Sequence, residues 1–119
     1  MGFFTNFFSK PFNSIDTKSI IEKKRVGWKP IIIDVRTDQE IRETGVISGC
    51  KIKKPHNAIE KVRKNISNSS DVLVYCRSGA RSSLACSKLV KLGIDGSRIY
   101  NLKGGIMAWK RFGGKISKP

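Results

Sequence analysis

Apolar residues in this chain fall into short runs separated by polar, glycine-bearing turns, and the runs alternate between two periods. Ile31-Ile32-Ile33 before Asp34, and Val72-Leu73-Val74-Tyr75 after Asp71, are continuous apolar stretches. That is the pattern of strands buried on both faces. Phe12-Asn13-Ser14-Ile15 predicts a short edge strand, Cys50-Lys51-Ile52 a third strand, and the stretch from Ser97 to Leu102 a last one.

Between these runs the period lengthens. Asp16 or Thr17 can cap a helix through Ile20, Ile21 and Lys24 that ends near Gly27. Thr37-Asp38-Gln39-Glu40 matches a capping box, and Gly45 closes the short helix it opens. Asn57 with Glu60 predicts another helix, carrying Ile59, Val62 and Ile66. From Ser82 to Val90 the chain sets Leu84, Lys88 and Lys91 on one side and Ala85, Leu89 and Leu92 on another, with Gly93 as the stop. Gly104-Gly105 opens a final helix bearing Ile106, Met107 and Trp109. Strands alternating with helices of this length predict an α/β fold around a mostly parallel sheet. Ligands of such sheets bind outside the carboxyl ends of the strands. Asp34, Arg36 and Cys76 follow two of those ends and are expected to share one face of the sheet.

Composition narrows the setting. The 119 residues fit one domain that can build a core without disulfides. The 24 Lys+Arg against 9 Asp+Glu give a net charge of +15, which favours anionic partners: small oxyanions, nucleic acid, an acidic protein or a membrane surface. The charges are spread along the chain, so a plainly solvated basic surface fits as well. The three cysteines, Cys50, Cys76 and Cys86, form neither a CxxC pair nor a metal spacing, and His56 is the single histidine. A reducing, cytoplasmic setting with no metal and no cofactor is expected. The start from Met1 to Phe8 is apolar but too short for a signal-peptide core, and Asn6 stands where a myristoylation pattern wants Ser or Thr. No stretch approaches a transmembrane length. The expected organisation is a Phe-rich extension over 1–11, one domain over 12–113, and a basic tail over 114–119.

The chemistry concentrates in Cys76-Arg77-Ser78-Gly79-Ala80-Arg81, which joins a buried strand to an amphipathic helix. Backbone N–H groups converge at such a helix start and carry partial positive charge. Arg77 and Arg81 add two cations. These surroundings stabilise a thiolate, the nucleophilic form of cysteine. Gly79 frees the loop to curl its N–H groups inward.

Taken in order, Asp34-Val35-Arg36, Glu40, the stretch from Gly45 to Cys50, the cysteine loop with Tyr75 and Ser82, and the stretch from Leu102 to Trp109 resemble the single-domain rhodanese family. The likeness runs over roughly residues 12 to 112. It implies a three-layer α/β/α fold with a mostly parallel sheet of about five strands. It also implies a sulfurtransferase that moves a sulfane sulfur from thiosulfate or a persulfide donor to cyanide or a thiol. Cys76 matches the family's nucleophile, and the backbone from Arg77 through Ser78, Gly79 and Ala80 to Arg81 matches its cradle. The side chains of Arg77 and Arg81 lie where substrate-binding residues are found. Asp34 and Arg36 read as a pair bracing the cysteine loop. Relatives commonly carry His in place of Val46 and Ala in place of Cys50.

Two other readings share this loop. Rhodanese-like relatives with phosphatase or arsenate reductase activity resemble Cys-x5-Arg, whereas the loop here is one residue shorter, which favours sulfur over phosphate. A carrier or binding module would use the basic surface to hold tRNA or an acidic protein. On any of these readings a monomer or weak dimer is expected.

Overall fold

The computed structural model describes residues 11–119, so most of the Phe-rich extension lies outside the described residues. Five strands form one all-parallel sheet: β1 (Asn13–Ile15), β2 (Ile31–Asp34), β4 (Ile52–Lys53), β5 (Val72–Tyr75) and β6 (Ile99–Leu102), in the order β1-β6-β5-β2-β4. Two short strands, β3 (Val46–Ile47) and β7 (Ile116–Ser117), pair antiparallel beside it. The segment expected as a basic tail therefore contains β7. Nothing in a two-residue strand distinguishes it from a loop in sequence.

Alternation along β5 divides the core. Val72, Val74 and Cys76 face one layer with Ile33, Val35, Ile99 and the buried side of α3 (Ala80–Lys91). Leu73 and Tyr75 face the other with Ile32, Leu102, Ile20 of α1 (Thr17–Arg25), and Ile106 and Trp109 of α4 (Gly105–Arg111). The sheet is thus covered on both sides, the three-layer arrangement that continuous apolar strands require.

Local signals explain most boundaries. Asp16, rather than Thr17, caps α1 by accepting from the Ser19 N–H at 2.8 Å. Thr37 and Glu40 form both halves of the capping box that starts α2 (Asp38–Thr44), and Gly45, at φ 77°, ends it. Three expectations need correction. Residues His56–Asn65 form 3₁₀ turns rather than a helix capped by Asn57, because Pro55 sets the start and Ala58, at φ −128°, interrupts the ladder. Ile59 and Val62 stay buried, since an i, i+3 spacing serves a 3₁₀ period as well. The third strand starts at Ile52, because Cys50 sits in a turn donating to Ile47 O at 3.0 Å. The last begins at Ile99, because Asp95 caps a 3₁₀ turn over Gly96–Arg98.

Trp109 closes the bottom of the second layer. Its Nε1 donates to Lys115 O at 2.9 Å, and a Cβ on Gly114 would lie 2.2 Å from the indole Cε2. Gly114→Ala is therefore expected to push the β7 segment off the ring at a cost of about 1–3 kcal/mol. Denaturant titration followed by tryptophan fluorescence checks this; wild-type stability in the variant would refute the packing argument.

Candidate active site

Cys76 leaves the carboxyl end of β5 and is buried, with 1 % of its surface exposed. The next residues turn so that Gly79 takes φ 109° and starts α3 without any side-chain cap. The cap is the cysteine itself. Its Sγ accepts from the Gly79 N–H at 3.1 Å, the Ser82 N–H at 3.3 Å and the Ser82 hydroxyl at 3.3 Å. Burial works against the charged form of this thiol. The hydroxyl and N–H of Ser82 and the N–H groups of Gly79 and Ser78 outweigh it, so the thiol falls below its usual 9.0.

The loop carbonyls turn the other way, and the start of α4 receives them. Ile106 N donates to Cys76 O at 2.9 Å and Met107 N to Arg77 O at 3.2 Å. This contact needs Gly105: its φ is 61°, and a Cβ there would lie 2.2 Å from Arg77 O. From β6, the buried side chain of Asn101 donates to Gly79 O at 3.2 Å and accepts from the Ser82 hydroxyl at 2.5 Å.

The charged residues take distinct places. Arg81 does not point freely at the sulfur; it is bidentate to Glu40 of α2, at 2.7 and 2.8 Å. Arg77 is exposed, with Nε 3.3 Å from Met107 Sδ. It lines a cleft of about 320 Å³ between α2 and α4, with Glu40, Glu43, Ile106, Met107 and Lys110 among the other walls. Ser78 and Ala80 are exposed on the loop. A groove of about 440 Å³ lined by Lys24, Trp28, Lys29 and Lys51 includes no residue of the loop.

Asp34 and Arg36 share the carboxyl end of the sheet with Cys76 but not its layer. Asp34 lies in register with Tyr75, whose side chain points away from the Cys76 side. The Arg36 guanidinium is buried on Asp34 at 2.7 Å and donates onward to Thr44 Oγ1 at 2.6 Å and Gly45 O at 2.7 Å. The pair thus braces the end of α2, not the cysteine loop itself. Its hold on the loop is relayed through α2, whose Glu40 grips Arg81. Val46 is buried in β3. Cys50 is half-buried, with Sγ 3.4 Å from Ile52 O, and burial pushes its thiol up. Cys86 is buried in the core on α3. Burial and hydrogen bonding thus act oppositely at two of the thiols: the anion is stabilised at Cys76 and disfavoured at Cys50.

The sequence placed Ser82 in the motif without a role, and it did not point to Asn101 or to the loop-holding role of Gly105. Asn101 carried one signal: it is the sole amide in an otherwise apolar and aromatic strand, Ile99–Leu102.

The family model described as rhodanese-like domain matches residues 16–112. A "Sulfurtransferase" of Allochromatium vinosum is 37 % identical over 107 residues, covering 90 % of this chain and 96 % of that one. The crystal structure of a rhodanese-related protein from Thermoplasma volcanium has a TM-score of 0.76 at 25 % identity, covering 91 % of this chain and all of that one. A rhodanese-like domain protein from Staphylococcus aureus has a TM-score of 0.72 at 30 % identity, covering 89 % and 99 % of the two chains. The chain belongs to the rhodanese-like domain family.

Gly105→Ala is expected to cost about 2–4 kcal/mol, from the left-handed backbone and the clash with a loop carbonyl. It should also slow alkylation of Cys76. An equally stable variant with unchanged alkylation would show that the loop does not need this contact.

Acid acts on the ion pair between α2 and α3. The Arg81 guanidinium is the main cause that holds Glu40 down, from the usual 4.5 to about 2. A carboxylate held low stabilises the fold above its ordinary value, and that contribution is lost as pH falls through the folded one. Stability should thus fall between pH 4.5 and about 2, and Glu40→Gln should flatten that slope. Denaturant midpoints measured across the window check it; an unchanged slope assigns the acid sensitivity elsewhere.

Proposed function

We propose that this protein is a thiosulfate sulfurtransferase working through a persulfide on Cys76. The observation that carries the reading is the set of three hydrogen bonds converging on Cys76 Sγ at a strand-to-helix turn. They support a preformed thiolate, so no general base is needed.

In the first half-reaction the thiolate attacks the outer sulfur of thiosulfate. The new S–S bond forms as the bond to the sulfonate sulfur breaks, and sulfite leaves with that electron pair. Cysteine persulfide and sulfite together carry the three negative charges that the reactants brought. In the second, cyanide or a thiolate takes the terminal sulfur and the Cys76 thiolate returns. Ping-pong kinetics follow from the covalent intermediate. Both partners in the first step are anions, so positive potential is required to bring them together. The cleft lined by Arg77 and Lys110 supports an anionic donor at this side of the loop. The net charge of +15 adds long-range attraction.

A phosphatase role fits less well. Its transition state wants a loop arginine free to fork onto phosphoryl oxygens, and the Arg81 fork is taken by Glu40. Relay of the persulfide sulfur to a thiol on a partner protein or tRNA uses the same intermediate and differs only in the acceptor.

Intact mass after thiosulfate treatment tests the chemistry. The wild type should gain one sulfur atom and Cys76→Ser none, with transfer to cyanide lost at least about a thousand-fold, as for other deleted nucleophiles. An adduct retained by Cys76→Ser would move the chemistry to Cys50 or Cys86. Efficient turnover of an aryl phosphate would overturn the reading.

A further inference from the structure

The Ser82 hydroxyl has a single proton and three acceptors within reach: Asn101 Oδ1 at 2.5 Å, Gly79 O at 3.2 Å and Cys76 Sγ at 3.3 Å. The orientation of the Asn101 amide is determined by its surroundings. Its Nδ2 donates to Gly79 O at 3.2 Å, and exchanging nitrogen for oxygen would set two acceptors face to face there. Oδ1 therefore points at Ser82. Gly79 O is already supplied by the Ser83 N–H at 3.1 Å and by Asn101, so it is the weakest claimant on the hydroxyl. The contest is between the amide oxygen and the sulfur.

We propose that Asn101 sets the reactivity of Cys76 by competing with its sulfur for the one proton of the Ser82 hydroxyl. With a neutral thiol the proton lies on the short bond to Asn101. When the sulfur is charged, the charge-assisted bond draws the hydroxyl over, at the loss of that short bond. Asn101 therefore keeps the thiol less acidic than the rest of the cradle would make it. The gain is in the attack, because the nucleophilicity of a thiolate falls as its pKa falls. Asn101 is a positioning residue: it acts on the sulfur through Ser82 and is buried on β6.

Other groups also bear on the same titration. Arg77 and Arg81 belong to the loop, Glu40 of α2 holds Arg81, and the Asp34–Arg36 pair ends β2. Cys86 of α3 shares the core cluster of Cys76, and Lys110 of α4 lines the cleft with Arg77. None of the variants below alters these groups.

The test is the pH dependence of iodoacetamide alkylation of the full chain, with modification at Cys76 followed by peptide mass. Asn101→Leu and Asn101→Ala free the hydroxyl for the sulfur and should lower the inflection by about half to one pH unit, the size of one neutral hydrogen bond. Asn101→Asp claims the proton more strongly and adds a negative charge, so it should raise the inflection. All three lose the bond to Gly79 O, so a merely structural role would move them the same way. In a Ser82→Ala background the Leu and Ala shifts should vanish and the Asp shift should shrink.

An inflection that Leu and Ala leave unchanged or raise, or shifts that persist without the Ser82 hydroxyl, would overturn the inference. If the apolar variants do not fold, Asn101→Asp with and without Ser82→Ala still decides it, because an Asp shift equal in both backgrounds refutes the competition. The inference rests on Cys76 as the nucleophile, yet alkylation is read without any sulfur donor. Shifts with no sulfur transfer would sink the functional reading alone, and transfer with no shifts would sink only the role of Asn101.

Discussion

A helix cannot begin without leaving N–H groups unpaired, and at α3 the sulfur of Cys76 takes two of them. The arrangement around it serves that one contact. Gly79 must adopt a left-handed backbone for its N–H to reach back over three residues. The preceding carbonyls must point away from the sulfur, and the start of α4 holds them there. In this geometry charge on the sulfur completes the helix start, so the fold and the chemistry ask for the same thing.

The second constraint is electrostatic and works at longer range. A guanidinium and a carboxylate are buried together at the end of β2, where each alone would be costly to hold. The guanidinium also donates to Thr44 and Gly45, which places α2 and hence Glu40. Glu40 in turn caps its own helix and grips Arg81 in the first turn of α3. Two helices from different halves of the chain, α2 and α3, are thereby joined beside the cleft that Glu40 helps to line. This explains why an acid–base pair on the opposite layer still bears on the cysteine.

Much of this was legible in the sequence, for physical reasons. Fully buried parallel strands show themselves as unbroken apolar runs, so β2 and β5 and the loop after Tyr75 could be placed directly. The capping box was readable because both its halves are local. What escaped was short or non-local. The β3–β7 pair has too few residues for a period, and the 3₁₀ turns after Pro55 share their apolar spacing with a helix. The roles of Ser82 and Asn101 depend on contacts across 19 residues of chain, which no local pattern encodes. Arg81 is the instructive case: its position suggested a substrate ligand, while its partner, Glu40, was visible as a cap and as a position in the family pattern, not as an ion-pair partner.

The contact between the cysteine loop and Gly105 bears on how portable this chemistry is. The six residues that look like a self-contained motif have two of their carbonyls, Cys76 O and Arg77 O, held by a turn about thirty residues downstream. A graft of the loop alone onto another strand–helix junction would leave its carbonyls free to swing inward and oppose the sulfur. The transferable unit is two crossing turns, and a designer would have to move the glycine pair together with the cysteine.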